Sequence, residues 1–187
     1  MRRRFIVVAN SLDELEEWAP VAARCISASI MLSHRLRACA DIALVAGDCL
    51  SVFFNTTKLR NVRPDESSLM GILRKVFRAM RAGATGPVHS GVIVYRRGVK
   101  HYLAGFAIKC YCSRRGADPH SLLTRGDSIA VIVPLVQPPA SLMRALELAG
   151  AVPLKCPIDR LWPDQVITLL NIFMDRWCTR AGGRHRG

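Results

Sequence analysis

Runs of consecutive apolar, β-branched residues alternate with stretches of helical period along this chain. Ser128–Val136 (SIAVIVPLV) is the plainest run. It is apolar without polar alternation, as a parallel strand buried on both faces requires. Arg4–Ala9 (RFIVVA) and Asp41–Ala46 (DIALVA) have the same character, Gly91–Tyr95 and Ala107–Cys112 read as further strands, and Ser51–Asn55 reads as a short one. Between them, Ser11 and Glu14 stand at capping-box spacing and open a short acidic helix through Trp18. Pro20 restarts it, and residues 21–37 continue as a mostly apolar helix. Pro64, Asp65 and Glu66 mark a helix start, followed by Leu69, Ile72, Leu73, Val76, Phe77 and Met80 as an apolar stripe, with Gly83 placed to close it. A shorter helix follows Arg96-Arg97-Gly98 through Phe106, and Ser121–Thr124 reads as a helical turn.

The last third is the most regular. The Ser128–Val136 strand leads to a helix with Pro139 near its start and Gly150 past its end. Ala151–Pro157 is a second short strand, and Pro163–Arg180 a closing helix with an acid in its first turn and Arg at its end. Strand, helix, strand, helix predicts an α/β fold with a mostly parallel sheet flanked by helices, in one domain spanning residues 1–187. Ligands in such sheets sit beyond the carboxyl ends of the strands, so the loops after Val133 and Lys155 are where chemistry is expected.

Charge narrows the partner. The formal net charge is +13, which favours a polyanion, and the basic residues are 22 Arg to 5 Lys. Arg forks onto phosphate and stacks on bases, which suits RNA. The basic residues Arg74, Lys75, Arg78 and Arg81 lie off the apolar stripe of their helix and read as a solvated face. No run reaches the ~18–20 apolar residues that a membrane span needs, and MRRR at the start is followed by too short an apolar run for a secretory signal. The seven cysteines form no CxxC pair and read as reduced thiols of a cytoplasmic protein with no metal. The dinucleotide, P-loop, zinc-protease and nucleophile-elbow motifs are all missing, and the five histidines are isolated in sequence.

Five segments in order resemble the archaeal tRNA pseudouridine-N1 methyltransferases called TrmY, of the SPOUT (trefoil-knot) superfamily. They are MRRRFIVVAN, CISASIMLSHRLRACADIALVAGD with Leu32-Ser33-His34 at its centre, KLRNVRPDESSLMGILRKVF with Pro64-Asp65-Glu66-Ser67, SGVIVYRRGV, and PDQVITLLNIFMDR. In the last, Asp164, Ile167, Thr168, Asp175 and Arg176 fall in register with the family. The resemblance implies a C-terminal trefoil knot over about residues 128–180, a homodimer, S-adenosylmethionine as cofactor, and tRNA as partner. The implied reaction is methylation of N1 of pseudouridine 54 in the T-loop. For the cofactor it implies Cys112, Val133, Pro134, Lys155, Cys156, Pro157 and Val166.

This chain departs from the family where Val133-Pro134-Leu135 replaces the usual Gly-Asp-His, where Val166 replaces a cysteine, and where Lys155-Cys156-Pro157 keeps only the proline of Ser-Leu-x-Pro. Asp164 is the candidate to orient or accept the N1 proton, its alternative role being a plain helix N-terminal acid. Arg35, Arg60, Arg63, Arg96, Arg97, Arg114 and Arg115, in loops or at element ends, are candidates for phosphate contacts. The competing readings are a SPOUT-fold RNA-binding protein without catalysis, and a methyltransferase acting on another RNA such as ribosomal RNA.

Overall fold

The structure is a computed structural model. It describes every residue except 33–34, 48, 64, 124–126 and 184–187, and of residues 179–183 the backbone alone. The strands are β1 (Arg2–Ala9), β2 (Ala40–Ala46), β3 (Leu50–Phe54), β4 (Gly86–His89), β5 (Val92–Tyr95), β6 (Ile108–Ser113), β7 (Ser128–Pro134) and β8 (Val152–Lys155). The helices are α1 (Leu12–Glu17), α2 (Ala19–Ile30), α3 (Glu66–Arg81), α4 (Val99–Leu103), α5 (Pro119–Leu123), α6 (Ala140–Leu148) and α7 (Pro163–Gly183).

The strands form one eight-stranded sheet in the order β4-β5-β3-β2-β1-β7-β6-β8. From β2 through β1, β7 and β6 to β8 every pairing is parallel, whereas β3, β5 and β4 extend the sheet in antiparallel pairing. The parallel half explains the unbroken apolar runs. Along β1, Phe5, Val7 and Ala9 enter one core, and Ile6 and Val8 enter the core on the other face. The first core is closed by α1, α2, α3, α5 and α7, the second by α4 and α6.

Element starts follow their sequence signals. The Ser11 side chain accepts from the Glu14 amide while the Glu14 carboxylate accepts from the Asn10 amide, so the predicted acid closes its reciprocal bond one residue before the cap. Asp65 caps α3 through the Ser68 amide, and the stripe Leu69, Ile72, Leu73, Val76, Phe77 and Met80 is buried while Arg74, Lys75, Arg78 and Arg81 are exposed. Gly150, at φ +79°, ends α6 in a conformation that L side chains resist.

Other expectations need correction. The helix expected over 21–37 stops at Ile30, and the chain doubles back so that Met31 pairs with Leu36. Apolar periodicity cannot register that reversal, because Met31, Leu32 and Leu36 are needed beneath the turn as well. Strand β4 (GPVH) went unpredicted, being short, proline-bearing and on the sheet edge. The helix after Gly98 ends at Leu103 rather than Phe106, and β7 ends at Pro134 rather than Val136. The Ser33-His34 part of the family motif, Pro64, Thr124 and the basic tail residues 184–187 lie outside the described residues.

Two features bind the carboxyl-terminal elements to the rest. Arg3, 2% exposed, donates through Nη1 to Asn171 Oδ1 and to Asp175 Oδ1, each at 2.9 Å, and Arg37 pairs with the other oxygen of Asp175. Asn171 in turn donates to the Ala28 carbonyl at 2.8 Å, so one polar cluster joins α7 to β1, α2 and the segment before β2. At the other edge of the sheet, β8 is hydrogen-bonded along β6, and on its far side to Ala117. The Ala117 amide donates to Pro153 O at 2.9 Å and the Lys155 amide donates to Ala117 O at 3.0 Å. Residues 113–117 therefore cross over β8. Gly116 permits it: a Cβ there would lie 2.5 Å from Pro153 O.

Asp175→Ala leaves the buried Arg3 guanidinium without its counter-charge. It is expected to cost about 2 kcal/mol or more, read as a lower urea midpoint with unchanged slope, and Asp175→Asn less.

Candidate functional site

Strands β6 and β7 end side by side, and three segments leaving that edge enclose a cleft of about 1140 Å³. Tyr111–Arg115 continue β6, Val133–Pro138 continue β7, and Ile158–Pro163 join β8 to α7, with Met143 of α6 and Val166 of α7 completing the walls. Both loops singled out from sequence, those after Val133 and after Lys155, supply walls. Small-molecule sites run roughly 300–1,000 Å³, so the cleft is of the size that small-molecule sites have.

Apolar surface from Val133, Leu135, Met143, Val166 and Trp162 lies beside the exposed cations Arg114, Arg115 and Arg160 and one acid, Asp159. Segments 135–138 and 158–162 lie outside strands and helices, and such segments offer main-chain groups to a ligand. Several amides there are already engaged: Leu135 donates to the Val8 carbonyl, Ile158 to Cys156, Arg160 and Leu161 to Pro157, and Trp162, at 3.0 Å, to Gln165 Oε1, which caps α7. Tyr111 donates to Glu147 Oε1 at 3.0 Å, and burial together with that bond raises its phenol above the ordinary value. It is a fixed, neutral wall.

Of the residues expected at the cofactor, Cys112, Val133, Pro134 and Val166 line the cleft. Lys155, Cys156 and Pro157 lie just before the third wall and are not among the lining residues. Cys156 is buried, its Sγ 3.2 Å from that of Cys112. The contact with Cys156 and then burial raise the Cys112 thiol well above its usual range, and burial does the same for Cys110. These thiols are neutral packing groups. No cluster of three metal-ligating side chains occurs among the described residues.

Asp164 stands one position past the cleft wall formed by Pro163. Its Oδ2 lies 3.4 Å from Nε of Arg24 on α2, and its Oδ1 is buried without a hydrogen-bond partner. Its charge also helps burial raise the Cys25 thiol. The carboxylate thus faces α2 rather than the cleft.

The seven candidate arginines are exposed and divide by edge. Arg114 and Arg115 line the cleft, and Arg96 and Arg97 follow β5 at the same carboxyl edge of the sheet. Arg35, which precedes β2, and Arg60, whose carbonyl lies 3.0 Å from His89 Nε2, belong to the opposite edge with Arg63. Sequence reading missed Arg160, Trp162, Asp159 and Gln137. Their one signal was membership of loops flanking a short buried strand.

Comparison with known proteins accords with this architecture. The crystal structure of Archaeoglobus fulgidus Nep1 bound to S-adenosylhomocysteine superposes with a TM-score of 0.66 over 94% of this chain and 98% of that one, at 10% identity, a likeness of fold. The chain is 32% identical to the tRNA (pseudouridine(54)-N(1))-methyltransferase of Haloarcula marismortui over 73% of its own length and 72% of the relative's. It is 25% identical to the enzyme of that name from Methanocella arvoryzae over 93% and 99%. The family described as "Putative SAM-dependent RNA methyltransferase" matches residues 5–177, so with nearly its whole sheet and both cleft loops inside that match the chain belongs to this family of RNA methyltransferases.

Proposed function

We propose that this protein transfers a methyl group from S-adenosylmethionine to N1 of pseudouridine 54 in tRNA. The observation that carries the reading is the cleft at the ends of β6 and β7, built from the two loops that the family resemblance assigns to the cofactor. Bound there, S-adenosylmethionine supplies a methyl group on a sulfonium and leaves as a neutral thioether. The chain's own task is to hold the base in line, exclude water and take the N1 proton as the N–C bond forms.

Val133, Leu135, Met143 and Val166 provide the dry wall, and Arg114, Arg115 and Arg160 provide cations where an RNA phosphate approaches. Asp159, the carboxylate among the lining residues, is the group placed to accept or orient the N1 proton. Asp164 is assigned instead to the helix N-terminus, where it meets the macrodipole and Arg24.

The proposal includes a trefoil knot. Strand β8 lies between β6 and Ala117, and α6 and α7 pack on opposite faces of the sheet, which supports passage of the chain through the ring made by β6, residues 113–117, α5 and β7. It includes a homodimer as well. On α7, Leu169 and Ile172 are 47% and 44% exposed, and Trp162, 51% exposed, packs on Trp18 at 5.8 Å between ring centroids. An exposed apolar strip beside a binding cleft suits a second subunit. A cytoplasmic location fits a tRNA substrate, and no helix among the described residues is long and apolar enough to cross a membrane.

Incubated with methyl-labelled cofactor, the protein is expected to label a tRNA carrying pseudouridine at position 54 and not the same tRNA with uridine there. Nucleoside mass spectrometry then identifies N1-methylpseudouridine. Absence of both transfer and S-adenosylhomocysteine binding by calorimetry would instead support the reading of a non-catalytic RNA-binding protein. Asp159→Asn is expected to slow single-turnover transfer by about 100-fold. Asp164→Asn should leave that rate within a few-fold and lower the melting temperature. Replacing both Leu169 and Ile172 by Lys should shift the protein from dimer to monomer in sedimentation equilibrium.

A further inference from the structure

The sheet has a second surface that the cleft does not use. Strands β4 and β5 are covered on one face by α3, into whose core Val52, Val92 and Val94 point. By strand alternation Phe53, Ile93 and Tyr95 point to the other face. There Phe53 pairs across with Ile93, Ile93 with Pro87, and Tyr95 with Ser51. Helix α4 reaches only the inner margin of this area: Tyr102 bonds Ser51 at 2.8 Å and its ring lies 5.9 Å from that of Phe53 in a stacked arrangement. Phe53, Ile93 and Tyr95 remain half-buried and Pro87 is exposed.

Cations frame these rings. The Arg97 guanidinium lies 4.4 Å from the Tyr95 ring centroid and is held by His101, whose Nε2 is 2.8 Å from Arg97 Nη1. Burial, then the charges of Arg97 and Arg4, lower the pKa of His101, which keeps that nitrogen an acceptor. Arg4 lies 4.9 Å from the Phe53 centroid and Arg2 lies 4.1 Å from that of Phe106. Asp41 neutralises Arg4, while Arg2, Arg96, Arg97 and Lys100 are exposed. A surface joining flat π-faces, a guanidinium plane fixed on one of them, and surplus positive charge is matched by a ligand that has both π-faces and negative charge. Single-stranded RNA is that ligand.

Register ties the surface to the cleft. Tyr95 pairs with Ser51, Ser51 with Val45, Val45 with Val8, and Val8 with Pro134 of the cleft wall. Four strand spacings separate Tyr95 from Pro134 along this rung, or ~19 Å, at the same edge of the sheet. A few nucleotides bridge such a gap.

We propose that the open face of β3, β5 and β4 is a stacking surface for unpaired bases of the RNA substrate, with Tyr95 and its overlying Arg97 as the platform. It holds the strand whose target nucleotide enters the cleft. The RNA being the substrate rests on the function proposed above; binding at this face does not, and the test separates them.

Fluorescence anisotropy of the full chain is measured with tRNA and with a short unstructured oligoribonucleotide, without cofactor. Tyr95→Ala and Arg97→Ala are each expected to weaken both by about tenfold, Tyr95→Trp to restore affinity, and S-adenosylhomocysteine binding to persist. Arg97 is exposed, so Arg97→Ala keeps the test decisive even if Tyr95→Ala fails to fold. Affinities equal to wild type in both Ala variants would overturn the proposal, whatever the methyl-transfer result. So would a change of oligomeric state in Arg97→Ala, which would mark the face as a protein interface. Conversely, tenfold losses in a protein that methylates no tRNA would uphold the stacking surface while refuting the assigned reaction.

Discussion

Strand β8 is hydrogen-bonded on both edges, to β6 along one and to Ala117 on the other. That constraint makes the cleft possible. A four-residue strand at the end of a sheet would ordinarily be free to fray, and the loop after it free to wander. Here the crossing segment 113–117 fixes β8 in place, so Ile158–Pro163 leaves from a set point opposite Val133–Pro138. The cleft walls are loops, but loops anchored at both ends by buried structure: Cys112 and Cys156 beneath, Val166 and Ile167 behind. Such anchoring reduces the ordering that binding would otherwise have to impose.

Two groups of arginines at opposite edges of the sheet differ in their partners. At the amino edge, Arg3 and Arg37 converge on Asp175, and Asn171 Oδ1 accepts a further bond from Arg3. Those cations are spent internally, locking α7 to β1. At the carboxyl edge, Arg96, Arg97, Arg114, Arg115 and Arg160 are exposed beside the cleft or the open sheet face. The first group holds the carboxyl-terminal helix, so substitutions there act on stability, whereas the second group stays exposed beside the cleft and the open face.

The parallel half of the fold was legible because its strands are buried on both faces, and their signal is a plain apolar run. The loops bearing the cleft were legible for the same reason, since a parallel strand's carboxyl end can be located from the run itself. Three things escaped. Strand β4 carries little hydrophobic signal because one of its faces is open, and the reversal after Ile30 hides inside a run that is apolar on either reading. The direction of the Asp164 side chain was equally hidden: a residue at the start of a helix sits next to the cleft in sequence, yet its Oδ2 lies 3.4 Å from Arg24 Nε, distant in sequence and contributed by α2. Position along the chain does not show where a contact with a distant residue directs a side chain.

Val133 stands where the resembled family usually has glycine, a replacement that suggests a blocked cofactor site. Its surroundings argue otherwise. Val133 is 1% exposed and packs in the same core cluster as Val131, so its side chain is absorbed by the helical layer of α2 and α7 while the residue still contributes to the cleft wall. A glycine there would leave that core short of an isopropyl group, which the valine supplies. What the substitution removes is backbone freedom rather than space. The next residue, Pro134, restricts Val133 to extended conformations and so holds the end of β7 in one shape. A ligand gripped by main-chain groups of Val136 and Gln137 would gain from such a fixed wall, because less freedom is lost on binding.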